Sequence, residues 1–263
     1  MTEAPPLLQA TGLAQRFGTR TIYRDVSFSV AAGEVFAILG GSGSGKSTVL
    51  RQAVGLLAPT AGSIEIAGHM MTGRAGLEGR RAARRLIGVM FQSGALFGSL
   101  SLLGNVTLPL EIFTDLPAEA REAVARVKLG QVGLADAVAL FPAEISGGMA
   151  KRAAIARAMA LDPPLLFLDE PSAGLDPITS AELDRLILDL RDDLGATFVV
   201  VTHELPSIMA IADRCLMLDR NAYPDAGGVI ATGDPRVLAA ESTHPVVRAF
   251  FRRTLLPATA GEP

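Results

Sequence analysis

The chain has 263 residues, 49% of them apolar and 5% aromatic, with no tryptophan and a formal net charge of -3. That length supports one large core or two small domains, and 24 basic residues against 27 acidic ones exclude a nucleic-acid binder held by phosphate neutralisation. Apolar stretches such as Val35 to Gly40 and Thr197 to Thr202 fall far short of the roughly 20 residues that a bilayer-crossing helix needs, so the chain is not expected to span a membrane.

The opening MTEAPPLLQA is acidic and proline-bearing where a secretory signal would be basic and then continuously apolar, which points to the cytoplasm. From Leu7 to Ile66, short β-rich runs (VSFSV, EVFAILG, SIEIAG) are separated by glycines and interrupted by a helix after Gly45. The arginine-laden stretch Gly79 to Arg85 reads as a solvated helix face, although an anionic partner would also explain it. A further strand, IGVMFQ, covers Ile87 to Gln92. Between Ser93 and Leu161 the β signal fades, and PAEAREAVARVKLGQVGL and GGMAKRAAIARAMAL space their apolar residues as helices do. Strands then resume at Pro164 to Glu170, Ala196 to His203 and Arg214 to Asp219, alternating with helices over Ala181 to Leu194 and around PSIMAIAD. Such alternation predicts an α/β fold with a parallel, helix-covered sheet. The single cysteine, Cys215, sits in the apolar run RCLML and is expected to be a buried strand residue. Near the end, HPVVRAFFRR carries helical spacing, and LLPATAGEP carries no periodic signal.

The string GGSGSGKST runs Gly40, Gly41, Ser42, Gly43, Ser44, Gly45, Lys46, Ser47, Thr48. It fits GxxxxGK followed by Ser or Thr, placed after a strand and before a helix as the motif requires. At average residue frequencies this pattern arises by chance in about one chain in a hundred of this size, so the flexible-glycine-loop alternative is weak. Glycines let successive N–H groups point at phosphate oxygens, and the helix adds its positive N-terminal end. Lys46 is expected to neutralise the β- and γ-phosphates of ATP, Ser47 to supply an oxygen to Mg²⁺, and Thr48 to donate to the α-phosphate.

The strand LLFLDE delivers Asp169 and Glu170 to the C-terminal edge of a parallel sheet, where ligands of such sheets sit. Asp169 is the expected Mg²⁺ partner, acting through the ion's water shell, and Glu170 the candidate general base for an attacking water. An acidic pair after a strand is weak evidence alone, because such residues often just start a loop. Beside a phosphate loop it is strong.

A phosphate loop names a cofactor and not a function. The discriminating string is EISGGMAKRAAIARAMALDPPLLFLDEPSAGLDP, Glu144 to Pro177, which resembles the signature, acidic strand and D-loop of the ABC ATPases. The resemblance covers roughly Leu7 to Phe251. It implies a P-loop NTPase (RecA-like) core over residues 1–92 and 162–240, with an N-terminal antiparallel β part, a helical signature subdomain over 93–161, and a C-terminal helix and tail over 241–263. It also implies that Ser146, Gly147 and Gly148 head a helix closing on the γ-phosphate bound to a second copy of the chain. Gln92 matches the Q-loop glutamine that senses Mg²⁺ and the membrane partner, Asp176 the D-loop aspartate, and His203 the switch histidine. Phe17 matches the aromatic that stacks on adenine, though a Phe beside an early hairpin fits the core equally well.

The signature reads SGGM where most ABC ATPases read SGGQ, so Met149 cannot hydrogen-bond as that glutamine would. Together with FQSGALF, Phe91 to Phe97, with DPIT after the D-loop and with the HPVVRAFF tail, this resembles the ATPases of Mla-type phospholipid transporters. Such a likeness implies an integral membrane permease, a STAS-domain subunit and an MCE-domain lipid-binding protein as partners. It also implies a peripheral place on the cytoplasmic face of the inner membrane, and no nucleic-acid partner. Other ABC cargoes, such as an amino acid or a drug, fit the same motifs, because the cargo is bound by the partners. Non-transport ABC ATPases fit less well: only about a hundred residues separate Lys46 from Ser146, too few for a coiled-coil insertion, and the chain carries one cassette. A P-loop kinase would need an acceptor site that the motifs do not supply.

Overall fold

The computed structural model describes residues 5–72 and 77–253. The chain runs β1 (Leu8–Phe17), β2 (Arg20–Val30), β3 (Val35–Gly40), α1 (Lys46–Ala53), β4 (Ala61–Ile66), β5 (His69–Met70), α2 (Leu77–Arg85) and β6 (Ile87–Met90). Three helices follow, α3 (Leu102–Phe113), α4 (Ala118–Gln131) and α5 (Gly147–Ala158). The remainder is β7 (Leu165–Asp169), α6 (Pro177–Leu194), β8 (Thr197–Val201), α7 (Leu205–Ile211), β9 (Arg214–Tyr223), β10 (Ala226–Gly233), α8 (Pro235–Glu241) and α9 (Pro245–Arg252).

The ten strands of the described residues form one sheet in the order β5-β4-β1-β2-β10-β9-β3-β8-β7-β6. From β9 to β6 the pairings are parallel. From β5 to β2 they are antiparallel, and the two parts meet where β10 pairs with β2 at Gly227 and Tyr23. The central parallel strands β3, β7 and β8 are almost continuously apolar because both of their faces are covered. Period-two alternation then sorts their side chains. Leu166, Leu168, Phe198 and Val200 pack into a core shared with α3, α4, α5 and α6. Their neighbours Leu165, Phe167, Val199 and Val201 pack on the opposite face with Val49, Leu50 and Ala53 of α1 and with β1, β2 and β4. A third cluster sets Ala37, Leu39 and Met217 against α7 and, through Val247, α9.

The α/β reading stands, and several boundaries move. The expected helix over Ala181 to Leu194 begins at Pro177, because Asp176 caps it and proline suits a first helical position. The helix after the phosphate loop stops at Ala53. Strand β10 and helix α8 were not expected from the sequence: Gly227, Gly228 and Ala231 have little strand propensity, and pairing with β9 and β2 makes this segment a strand. The arginines of α2 lie on an exposed face. Cys215 is fully buried, and burial pushes its thiol up to about 12. The stretch LLPATAGEP lies outside the described residues. No helix among the described residues is long and apolar enough to cross a membrane.

Candidate functional site

The phosphate loop is held by close packing at both ends. A Cβ on Gly40 would lie 2.2 Å from the Leu218 carbonyl oxygen of β9, and one on Gly45 would lie 2.6 Å from the Tyr23 ring of β2. Both glycines also adopt positive φ, 142° and 101°, where a side chain would be strained. Helix α1 begins at Lys46 with no side-chain cap, so its first N–H groups are left for an anion. Ser47 and the loop residues Gly41, Ser42 and Gly43 are exposed, whereas Ser44 is buried, its hydroxyl without a hydrogen-bond partner. Lys46 folds back over the loop and donates from Nζ to the carbonyls of Gly40 at 2.7 Å and Gly41 at 3.1 Å. Burial pulls its pKa below the ordinary lysine value, against the carboxylates of Glu170 and Asp169, which hold it up.

Those two carboxylates stand at the end of β7, beside the phosphate loop on β3 because β8 bridges β3 and β7. Glu170 adopts φ 48°, a left-handed conformation costly for a non-glycine residue and found where a site demands it. Its N–H is fixed by the Val201 carbonyl at 2.8 Å. Its Oε1 accepts from Nδ1 of His203, just past β8, at 2.8 Å, while Oε2 is buried without a partner. Asp169 Oδ1 is likewise buried and unpartnered. Burial first, then Glu170, pushes the Asp169 carboxyl above the usual range, and Arg51, Lys46 and Lys151 pull it back. Asp169 shares a cleft of about 600 Å³ with Gln92 and Arg51.

Sequence reasoning passed over Lys151, whose charge on α5 looked like part of a solvated face. It is only 8% exposed, and its ammonium donates to the carbonyls of Gln92 and, at 3.4 Å, Glu170. It therefore ties the signature helix to the Q-loop and the acidic strand. Lys151→Met would leave both oxygens short of a donor, at a cost of about 1–3 kcal/mol for each one fully unsatisfied. The expected result is a lower melting temperature and a reduced kcat for ATP hydrolysis, partly restored in Lys151→Arg. An unchanged melting temperature would show that these contacts carry no stability. Asn105 and Arg157 were also missed: they bond backbone groups of Phe97 and of Gly94 and Ala95, clamping FQSGALF to the helical segment.

Ser146 caps α5, its hydroxyl accepting from the Met149 N–H at 3.2 Å. Gly147 and Gly148 pack on the D-loop side, where a Cβ on Gly148 would meet the Thr179 methyl at 2.5 Å. Asp176 spends its carboxylate capping α6 through the N–H groups of Ile178 and Thr179 and the Thr179 hydroxyl, and the Thr179 bonds hold its pKa below the usual carboxylate range. The structure therefore joins Lys46, Asp169, Glu170, His203 and Gln92 in one neighbourhood. The signature turn is held instead by the D-loop and α6. Phe17, at the end of β1, is 52% exposed and not part of the core.

Residues 23–173, more than half of the chain, match the ABC transporter family profile. The chain belongs to the ABC transporter family. It is 40% identical over 253 residues, 95% of this chain and 68% of the relative, to the "Probable ribonucleotide transport ATP-binding protein mkl" of Mycobacterium tuberculosis H37Rv. It is 42% identical over 223 residues, 84% of this chain and 82% of the relative, to the "Intermembrane phospholipid transport system ATP-binding protein MlaF" of Escherichia coli K12. Among solved structures, cbiO1 from Clostridium perfringens, described as part of the ABC transporter complex cbiONQ, superposes with a TM-score of 0.80 at 28% identity, covering 90% of this chain and 92% of that one. The ATP-binding cassette MJ0796, a dimer in a post-hydrolysis state bound to ADP and Pi, superposes with a TM-score of 0.74 at 30% identity, covering 86% and 98%. The protein is thus an ATP-binding ABC ATPase with a P-loop NTPase fold.

Proposed function

We propose that this ABC ATPase powers phospholipid transport as a dimer beside a membrane permease, on the cytoplasmic face of the inner membrane. The observation that carries the catalytic part is the Glu170–His203 pair: one carboxylate oxygen is held by the imidazole and the other is left unpartnered. In this reading the phosphates of ATP lie along residues 40–48, with Lys46 turned from the loop carbonyls onto the β- and γ-phosphates. Glu170 Oε2 accepts the proton of the attacking water, and His203 keeps the carboxylate aimed. Ser47, Gln92 and Asp169 would hold Mg²⁺, and the orphaned Asp169 Oδ1 fits such a partner, since all three residues offer oxygen ligands. When bound, that ion supplies positive charge against the phosphates.

Ser146, Gly147 and Gly148 would act on the ATP of the second copy, the helix start they form serving as an anion receptor in trans. Ser146→Arg is therefore expected to leave nucleotide affinity of the isolated chain nearly unchanged and to abolish hydrolysis. Equal loss of both, read by fluorescent-nucleotide titration and phosphate release, would count against a role in trans.

The phospholipid cargo is supported by SGGM, FQSGALF and the HPVVRAFF segment, and by the likeness to MlaF. Docking of a permease helix beside Gln92 is supported by the exposed apolar residues Phe97, Ile112, Phe113 and Leu116 of the helical segment. A STAS-domain subunit and an MCE-domain protein complete the proposed assembly. Purification from native membranes, with identification of the co-purifying permease and lipid, tests the cargo. Recovery of a ribonucleotide or amino-acid permease without bound phospholipid would overturn it.

A further inference from the structure

Three polar side chains lie in the core that packs α1 against β1, β2 and β4. Gln52 of α1 and Tyr23 of β2 are fully buried, and Gln15 of β1 is 5% exposed. Leu13, Leu50 and Ala53, nearby in the chain, belong with the Tyr23 ring to the apolar cluster of that core. Gln15 and Tyr23 stand opposite each other in the β1–β2 pair, with the register shifting on both sides of Gln15. Gln52 Nε2 donates to Gln15 Oε1 at 2.8 Å, while the Gln15 amide nitrogen turns to the Arg16 carbonyl at 3.3 Å. The bond between the two glutamines therefore ties α1 to β1 across the core.

Stability does not account for these glutamines. Gln52 Oε1 and the Tyr23 hydroxyl are buried without a hydrogen-bond partner, and an orphaned polar group in an apolar core is costly. Two apolar side chains of the same length would fill the space without that cost. A buried hydrogen bond supplies direction where apolar packing supplies none, and its best-attested use is to fix the register of packed elements. The elements fixed here carry the two ends of a nucleotide site. Helix α1 starts at Lys46 and reaches Gln52 within two turns, and a Cβ on Gly45, just before it, would lie 2.6 Å from the Tyr23 ring. On the other side, Phe17 stands two residues beyond Gln15 at the end of β1, exposed to a ligand. We propose that Gln15 and Gln52 are positioning residues for ATP, their buried bond setting the register of α1 and its phosphate loop against the strand that presents Phe17 to the adenine. This rests on the reading of residues 40–48 as the seat of the phosphates and of Phe17 as the seat of the base.

Such a register matters to a ligand that spans both seats and not to one that occupies the phosphate loop alone. ATP and inorganic tripolyphosphate, each with Mg²⁺, are such a pair, and both are titrated calorimetrically into the full chain. The test variant carries Gln15→Met and Gln52→Met together, because methionine keeps the length of glutamine and replacing both partners leaves neither amide unpaired. Its affinity for tripolyphosphate is expected to stay parental and its affinity for ATP to fall about tenfold, within the usual coupling between groups in contact. Gln15→Met alone, which breaks the same bond from the strand side, carries the same expectation and serves if the double variant fails to fold. Phe17→Ala should weaken ATP binding by a similar factor, and adding it to the double variant should weaken binding little further, since the coupled contact is then already lost. Parental ATP affinity in the methionine variants, beside a weakened Phe17→Ala, would overturn the proposal alone. Equal loss of ATP and tripolyphosphate would overturn it too, by showing that the pair merely props the loop, as would fully additive losses with Phe17→Ala. Parental ATP affinity in Phe17→Ala would instead overturn the reading of Phe17, and the proposal with it.

Discussion

Glu170→Gln is expected to retain ATP binding and to lower turnover by about 10²–10⁴-fold, the usual worth of a positioned general base. The amide has the shape of the carboxylate, so the contact with His203 Nδ1 has an isosteric replacement, and the backbone N–H bond to Val201 is untouched. What it lacks is a site for a proton at the oxygen now left unpartnered. With the chemistry stalled after nucleotide closure, the two copies should stay together, so size-exclusion chromatography in the presence of ATP is expected to show a dimer where the parent returns to monomer. Hydrolysis by Glu170→Gln at the parental rate would remove Glu170 as the base.

Lys46→Ala is expected to reduce turnover by about 10³-fold or more, at the upper end of what removing one preorganised charge donor costs. The ammonium is part-buried and now rests on the carbonyls of Gly40 and Gly41, a contact that a phosphate can replace. Its removal also takes a positive charge away from Asp169, whose pKa is already raised by burial and by Glu170. The carboxyl should then titrate at a still higher pH. The same variant should bind a fluorescent ATP analogue more weakly with little change in melting temperature, since the lysine makes its two bonds to a loop and not to the core. Parental turnover in Lys46→Ala would exclude the lysine from phosphate stabilisation.

Much of this site was legible because its residues are tied to local geometry. The phosphate loop needs glycines at Gly40 and Gly45 wherever it occurs, and a strand before and a helix after it, so the string announces its own structure. Asp169, Glu170 and His203 follow apolar runs that can only be buried strands, and strand ends on a parallel sheet share one edge. Lys151 was not legible, because a lysine among Arg152 and Arg157 on a helix looks solvated. Only the packing of α5 against the sheet buries it, and the energy of burial is then met by carbonyls distant in sequence.

The sequence by itself determined the nucleotide chemistry, the alternation of strands and helices, and membership of the ABC ATPases, since each depends on contiguous residues whose roles are set within one loop or element. The tertiary structure alone decided that β10 joins the antiparallel and parallel parts of one sheet, that Asp176 is engaged as a helix cap, and that Gly148 packs against Thr179 of α6. These are contacts between segments far apart in the chain, and no local pattern encodes which of many compatible faces will meet.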